Sequence, residues 1–219
     1  MTPWLLLQLA DSALPTGGFA HSGGVEAAVQ LGRVRDAGEL AERVDELVWS
    51  LASSALPFAT AAFRRPAALA GIDLRCDASL ASHVANRASR LQGQALLRAA
   101  AAAFGAPALH VLEEVRAAQL AGHLAPAFGA LLAALGAAEE DARRLFLFQG
   151  ARAALSAAVR LGAVGPLEAQ SLLAAASRTA EEALVATAEL MPEDAATAAP
   201  LLDLLQAHQD RLYSRLFQS

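Results

Sequence analysis

Apolar residues recur at three- and four-residue intervals along almost the whole chain, and no stretch alternates as a half-buried strand would. The pattern predicts a short apolar helix over Trp4–Ala10, closed by the turn signal Asp11-Ser12-Ala13-Leu14-Pro15-Thr16-Gly17-Gly18. Gly23-Gly24 precedes a helix carrying Glu26 and Val29. Asp36 can N-cap the next, with Glu39 as capping-box partner and Leu40, Val44, Leu47, Val48 and Leu51 as its apolar face. Pro57 starts or kinks the segment ending at Arg64-Arg65-Pro66.

Downstream, a long helix is predicted from Ser79 to Phe104, stopped by Gly105 and Pro107, followed by shorter ones over Pro107–Gln119 and Ala125–Leu135. Gly136 ends the last of these. Glu139-Glu140-Asp141 then opens a helix to about Leu161, where acidic side chains suit the positive helix start. Leu145, Phe146, Leu147, Phe148, Leu155 and Val159 make it apolar nearly all round, as in a central helix or a subunit interface. Pro166 opens a helix with the stripe Ala169, Leu172, Leu173, Ala176, Ala180, Ala183, Leu184 and Leu190. Met191 to Pro200 is a connector, and a last helix carries Leu201, Leu204, Leu205, His208 and Leu212. With no repeat or linker, the reading is all-α: a single-domain bundle of roughly nine or ten helices spanning residues 1–219.

Composition narrows the chemistry. The chain has 219 residues, 55% of them hydrophobic, a net charge of −5 and 17 basic residues that are all Arg. About a quarter of the residues are Ala, which favours helix and close helix packing. Without Lys there is no Walker A lysine and no Schiff-base amine. An acidic balance with scattered Arg excludes a non-specific nucleic-acid binder. One cysteine, Cys76, permits no internal disulfide and fits a cytoplasmic protein. The start has no basic region ahead of its apolar run, and the uncharged stretch Ala117–Ala138 is broken by Gly and Pro. Neither a signal peptide nor a membrane span is expected.

Catalytic motifs are missing. His21, His83, His110, His123 and His208 are too dispersed for a metal site, Cys76 has no nucleophile motif around it, and Ser12, Ser22 and Ser89 lack a G-x-S-x-G setting. The Gly17-Gly18 and Gly23-Gly24 region is not a phosphate loop, since no strand precedes it. Two anomalies remain. Arg144, Arg152 and Arg160 lie on the most apolar helix, where each guanidinium must pair, reach the surface or bind a partner. The chain ends on Tyr213-Ser214-Arg215-Leu216-Phe217-Gln218-Ser219, rich in interface residue types, which either docks on its own domain or binds a partner.

The run from Leu5 to Glu26, with its Leu14-Pro15-Thr16-Gly17-Gly18-Phe19-Ala20-His21-Ser22-Gly23-Gly24 centre, resembles the opening signature of the UreF family of urease accessory proteins. The resemblance continues through Asn86-Arg87, Gln92-Gly93-Gln94, Ser156 to Gly162 and Gln170, and closes on the Tyr213–Ser219 string. It implies an all-helical homodimer with no activity, cofactor or resident metal of its own. Such a protein bridges a UreD/UreH-type accessory protein to the nickel-carrying GTPase UreG while nickel is loaded into apo-urease. Carried over, Tyr213, Ser214, Arg215, Leu216 and Phe217 would dock into the UreD-type partner, with Phe19 near the same surface. Arg144 and Phe148 match an Arg–aromatic pair supporting that surface, although Phe148 lacks a hydroxyl seen in some relatives. Glu26, Arg160 and Gln170 match positions facing the GTPase; Arg160 stands where relatives often carry Lys. Arg160 is also the candidate arginine finger acting in trans. The competing expectation is a small helical enzyme with a site at a dimer interface.

Overall fold

The computed structural model describes residues 1–219 and contains eleven α-helices and no strand. They are α1 (Pro3–Ala10), α2 (Val25–Gln30), α3 (Ala37–Ser50), α4 (Leu56–Arg64), α5 (Leu69–Ser79), α6 (His83–Phe104), α7 (Ala106–Ala117), α8 (Leu124–Ala134), α9 (Glu139–Arg160), α10 (Pro166–Ala186) and α11 (Pro200–His208). Between α3 and α4 the chain widens into one π-type turn over Leu51–Ala55.

Local chemistry sets most boundaries. Thr2 caps α1 ahead of Pro3, Ser82 caps α6, and Pro57, Pro107 and Pro166 sit in first turns, where a missing N–H costs nothing. Gly105 and Gly136 take positive φ at the breaks after α6 and α8. At α3 the Asp36 carboxylate accepts the Glu39 N–H at 2.9 Å. Glu39 does not close the expected box on Asp36; it reaches one residue further, accepting the Arg35 N–H at 2.8 Å and pairing with that guanidinium.

Two predicted elements differ. The long helix starts at His83, not Ser79, because Ser79 ends a separate helix, α5, its hydroxyl donating to the Cys76 carbonyl at 2.8 Å. Only Leu69, Ile72 and Cys76 make the apolar side of α5, too sparse a stripe to stand out. The last helix, α11, ends at His208 and does not reach Leu212; its buried face is Leu202 and Leu205, while Leu201 and Leu204 are exposed.

Helix α9 is central: it touches α10, α3, α4, α2 and α8, and Leu145, Phe146, Leu147, Ala151, Ala154, Leu155, Ala157 and Ala158 are buried. Its apolar surface is spent inside this one chain, so α9 is core and not a free interface. Phe146 meets Phe128 of α8 edge to face, ring centroids 5.3 Å apart. A polar knot ties α5, α6 and the start of α8. Buried Asp73 accepts the N–H groups of Gly122 and His123, and the buried His123 ring bonds Ser89 at 3.1 Å and Asp77 at 3.0 Å. No helix is long and apolar enough to cross a membrane.

Where α4 crosses α8, Gly129 lies so close to the Ala59 carbonyl that an added Cβ would stand 1.9 Å from its oxygen. Backbone cannot yield there as a side-chain tip could. Gly129→Ala is therefore expected to destabilise the fold by about 1–3 kcal/mol through overpacking, read as a lower urea-unfolding midpoint. An unchanged midpoint would contradict this packing.

Candidate functional site

The site begins with the loop between α1 and α2. Gly17 and Gly24 hold φ of 76° and 91°, left-handed values that glycine accepts without strain. Between them a single 3-10 turn, Gly18–Ala20, lifts Phe19 to the surface, 71% exposed. Helix α2 follows and points Glu26 inward, leaving it 1% exposed.

What buries Glu26 is the end of the chain. Beyond α11 and one 3-10 turn the backbone has no regular structure and runs back over α2. Both Glu26 carboxylate oxygens accept from it: Oε1 from the Leu216 N–H at 2.6 Å, Oε2 from the Phe217 N–H at 3.0 Å and from the Gln209 amide. Such a desolvated charge is tolerable only because charge-assisted hydrogen bonds replace its water. Further along, the Gln218 N–H donates to the Ala20 carbonyl at 2.8 Å. The Ser22 hydroxyl donates to the Ser219 carbonyl at 2.9 Å, and His21 Nδ1 meets Ser219 Oγ at 2.7 Å. Arg87 of α6 grips Asp210 at 3.0 and 3.1 Å, and Arg215 binds the same carboxylate at 2.9 Å. The Arg87 hydrogen bond is the main reason that the Asp210 carboxyl sits below the usual range.

Phe217 is buried by this arrangement, and its ring faces the Arg160 guanidinium, 4.3 Å away. The other neighbour of Arg160 is the Phe19 ring at 3.5 Å, and its NH1 donates to the Phe19 carbonyl. A cation between two aromatic faces is held on both sides. These three residues border a cleft of about 450 Å³ between the loop, α9 and α10, which Arg152, Gln92 and Gln170 also line.

Phe19, Arg160, Gln170 and Phe217 are thus brought together from both predicted partner-binding groups. Others are placed differently. Glu26 does not face outward toward a GTPase; its carboxylate is consumed by the tail. Arg144 and Phe148 do not form a pair: Arg144 bonds Glu181 and Glu140 at 2.7 Å, and the cation beside Phe148 is Arg152, 5.8 Å from the ring centroid. Tyr213, Ser214, Arg215 and Leu216 are exposed along the tail. The residues that fasten it, His21, Ser22, Arg87, Gln209 and Asp210, were not legible as a group. They lie on separate elements, and only the polar His21-Ser22 pair within the glycine-rich turn was a local clue.

No group of three His, Cys, Asp or Glu side chains converges as a metal site. Burial, with Asp73 and Asp77 nearby, pushes the Cys76 thiol up to about 12, so it stays protonated.

Burial, followed by the nearby Arg87 charge, holds His21 below its ordinary value. The folded state therefore prefers the neutral ring. Its contribution is complete above the ordinary histidine range, near pH 6.5, and declines as pH falls from there toward the lowered folded value. Amide-exchange protection of Leu216, Phe217 and Gln218 is expected to weaken between about pH 7 and pH 5.5. His21→Gln should flatten that slope; a slope that persists in the variant would show that His21 is not its source.

Comparison with known proteins adds the family. A profile described as UreF matches residues 34–177. Urease accessory protein F of Arabidopsis thaliana is 37% identical over 99% of this chain and 92% of its own. The protein of that name from Oryza sativa subsp. japonica is 37% identical over 98% of this chain and 84% of its own. Urease accessory protein UreF of Arthrobacter sp. (strain FB24) is 30% identical over 98% and 96%. Matched by profile through its middle and by relatives along nearly its full length, the chain belongs to the UreF family of urease accessory proteins.

Proposed function

We propose that this chain is a non-catalytic scaffold in urease maturation. In this reading it bridges a UreD/UreH-type accessory protein to a UreG-type GTPase, so that nickel, the cargo, reaches apo-urease. The observation that carries the proposal is the clamp of Arg160 between Phe19 and Phe217. It joins the tail to Arg160 in one continuous surface, which supports a bridging role. Around it Phe19, Leu216 and Tyr213 are 71%, 53% and fully exposed, aromatic and apolar contacts left for a partner.

In this proposal the docking segment is residues 213–219, with Phe19 beside it, and Arg160 and Gln170 face the GTPase. Arg144 and Phe148 flank the surface from the outer side of α9. Arg160 acts by holding and not as an arginine finger: two rings and a carbonyl fix the guanidinium at this chain's own cleft, where its remaining edge donors can meet a docked side chain but cannot swing out into a nucleotide site. Self-association is part of the proposal. With α9 committed to the core, Leu167 and Val185 of α10, 84% and 78% exposed, are apolar residues available to it.

The test is co-expression of this chain, intact or ending at Leu212, with its UreD-type and UreG-type partners. The expected result is a ternary complex with the intact chain only, both forms keeping the same helical circular dichroism. Equal complexes from both would contradict the tail assignment. Arg160→Ala, if still assembled, should leave GTP turnover per complex within about twofold; a loss of 10³-fold would instead mark a finger.

A further inference from the structure

The cleft beside Arg160 has a charge pattern that the scaffold reading does not use. Its ionisable lining side chains are Arg152, Arg160 and His21, with no Asp or Glu among them, in a chain whose net charge is −5. Neither arginine has a carboxylate within 4 Å; seven other arginines also lack one, but of all the unpaired arginines only Arg152 and Arg160 line this cleft. Each spends one bond on a carbonyl, Arg152 on Ala10 at 2.8 Å and Arg160 on Phe19. A guanidinium has five donors, and none of the remaining ones in this pair is sealed away from water. Arg152 is nevertheless partly desolvated: burial depresses its pKa, and the charge of Asp11, which is nearby but not paired with it, only partly opposes this. An unpaired, half-buried cation costs stability, and its natural complement is an anion.

Spacing tells what kind of anion. Arg152 and Arg160 are eight residues apart on one helix, so their backbones are separated by about 12 Å of rise. One small anion cannot serve both. Two carboxylates four residues apart on an extended chain are about 13 Å apart. Between the two cations the cleft is lined by Leu155 and Leu173, and Gln170 adds an amide that makes no hydrogen bond within the chain. At the Arg160 end an extended segment already enters, since Phe217 of the tail reaches the cleft from irregular backbone.

We infer that this cleft binds an extended acidic segment of a protein partner, two carboxylates about four residues apart pairing with Arg152 and Arg160 across an apolar side chain. This rests on the scaffold reading and names the chemistry of one contact within it.

The test places the photo-crosslinking residue p-benzoylphenylalanine at Ser156, an exposed cleft residue on α9 that makes no side-chain hydrogen bond. The complex with the UreD-type and UreG-type partners is irradiated and the crosslinked peptide sequenced by mass spectrometry. The expected product joins Ser156's position to a partner segment with two Asp or Glu residues three to five positions apart. Arg152→Gln should weaken binding of that partner about tenfold and flatten its salt dependence, while Arg152→Lys restores most of it. A crosslink to a segment without carboxylates, to the chain's own tail or to a second copy would overturn the inference. So would unchanged affinity in Arg152→Gln. A normal complex with no crosslink at Ser156 defeats this inference alone; failure of the unmodified chain to bind either partner defeats the scaffold reading and this inference with it.

Discussion

A single buried carboxylate organises the functional end of this molecule. Fixing the backbone of the segment from Tyr213 to Ser219 costs about 1–2 kcal/mol per residue, and a neutral hydrogen bond returns only about 1 kcal/mol net. Neutral contacts alone would leave such a segment frayed. Glu26 changes the balance, because bonds to an ionised acceptor are roughly twice as strong, and here two successive tail amides share one carboxylate. The same contact delivers Phe217 to its buried position against Arg160. Arg160, in turn, is fixed against Phe19. Loop, tail and α9 are thereby joined through three side chains and one carboxylate.

The rest of the fold can be understood as support for that end. Helix α9 carries Arg152 and Arg160 outward while burying its Leu, Phe and Ala positions in the core. Small residues let neighbouring helices press close, with Gly129 against Ala59 and Gly150 against Leu51 of the π-type turn. The Asp73–His123–Ser89 knot fixes α5 and α6 to the start of α8. Arg87, on the same α6, then holds Asp210 ahead of the tail. The bundle thereby presents exposed Phe19, Tyr213 and Leu216 beside a cleft lined by Arg152 and Arg160.

Much of the architecture was legible because its signals are local. Asp36, Pro166 and the acidic start at Glu139 announce their helices within one turn, and the density of apolar residues on α9 marked it as central. What could not be read depended on contacts between distant positions. Glu26 looked like a surface acid until the tail covered it, 190 residues away in sequence from Leu216. The family resemblance implies an Arg144–Phe148 pair, yet Glu181 on α10 draws Arg144 away and leaves Phe148 beside Arg152. The buried face of α11 is not legible in the sequence because four leucines within five residues allow two faces, and only packing against α2 and α6 chooses between them. The family signature points to a region of the chain, while the contacts of each side chain within it come only from the fold.

The central claim is that the tail, the loop before α2 and the cleft along α9 form one recruiting surface. Hydrogen–deuterium exchange of the intact chain, alone and saturated with its UreD-type partner, tests it most directly. The account predicts new protection in residues 11–21 and 213–219 together, with α4 and α8 unchanged. Protection confined to α4 and α8, or to neither end of the loop–tail pair, would contradict it.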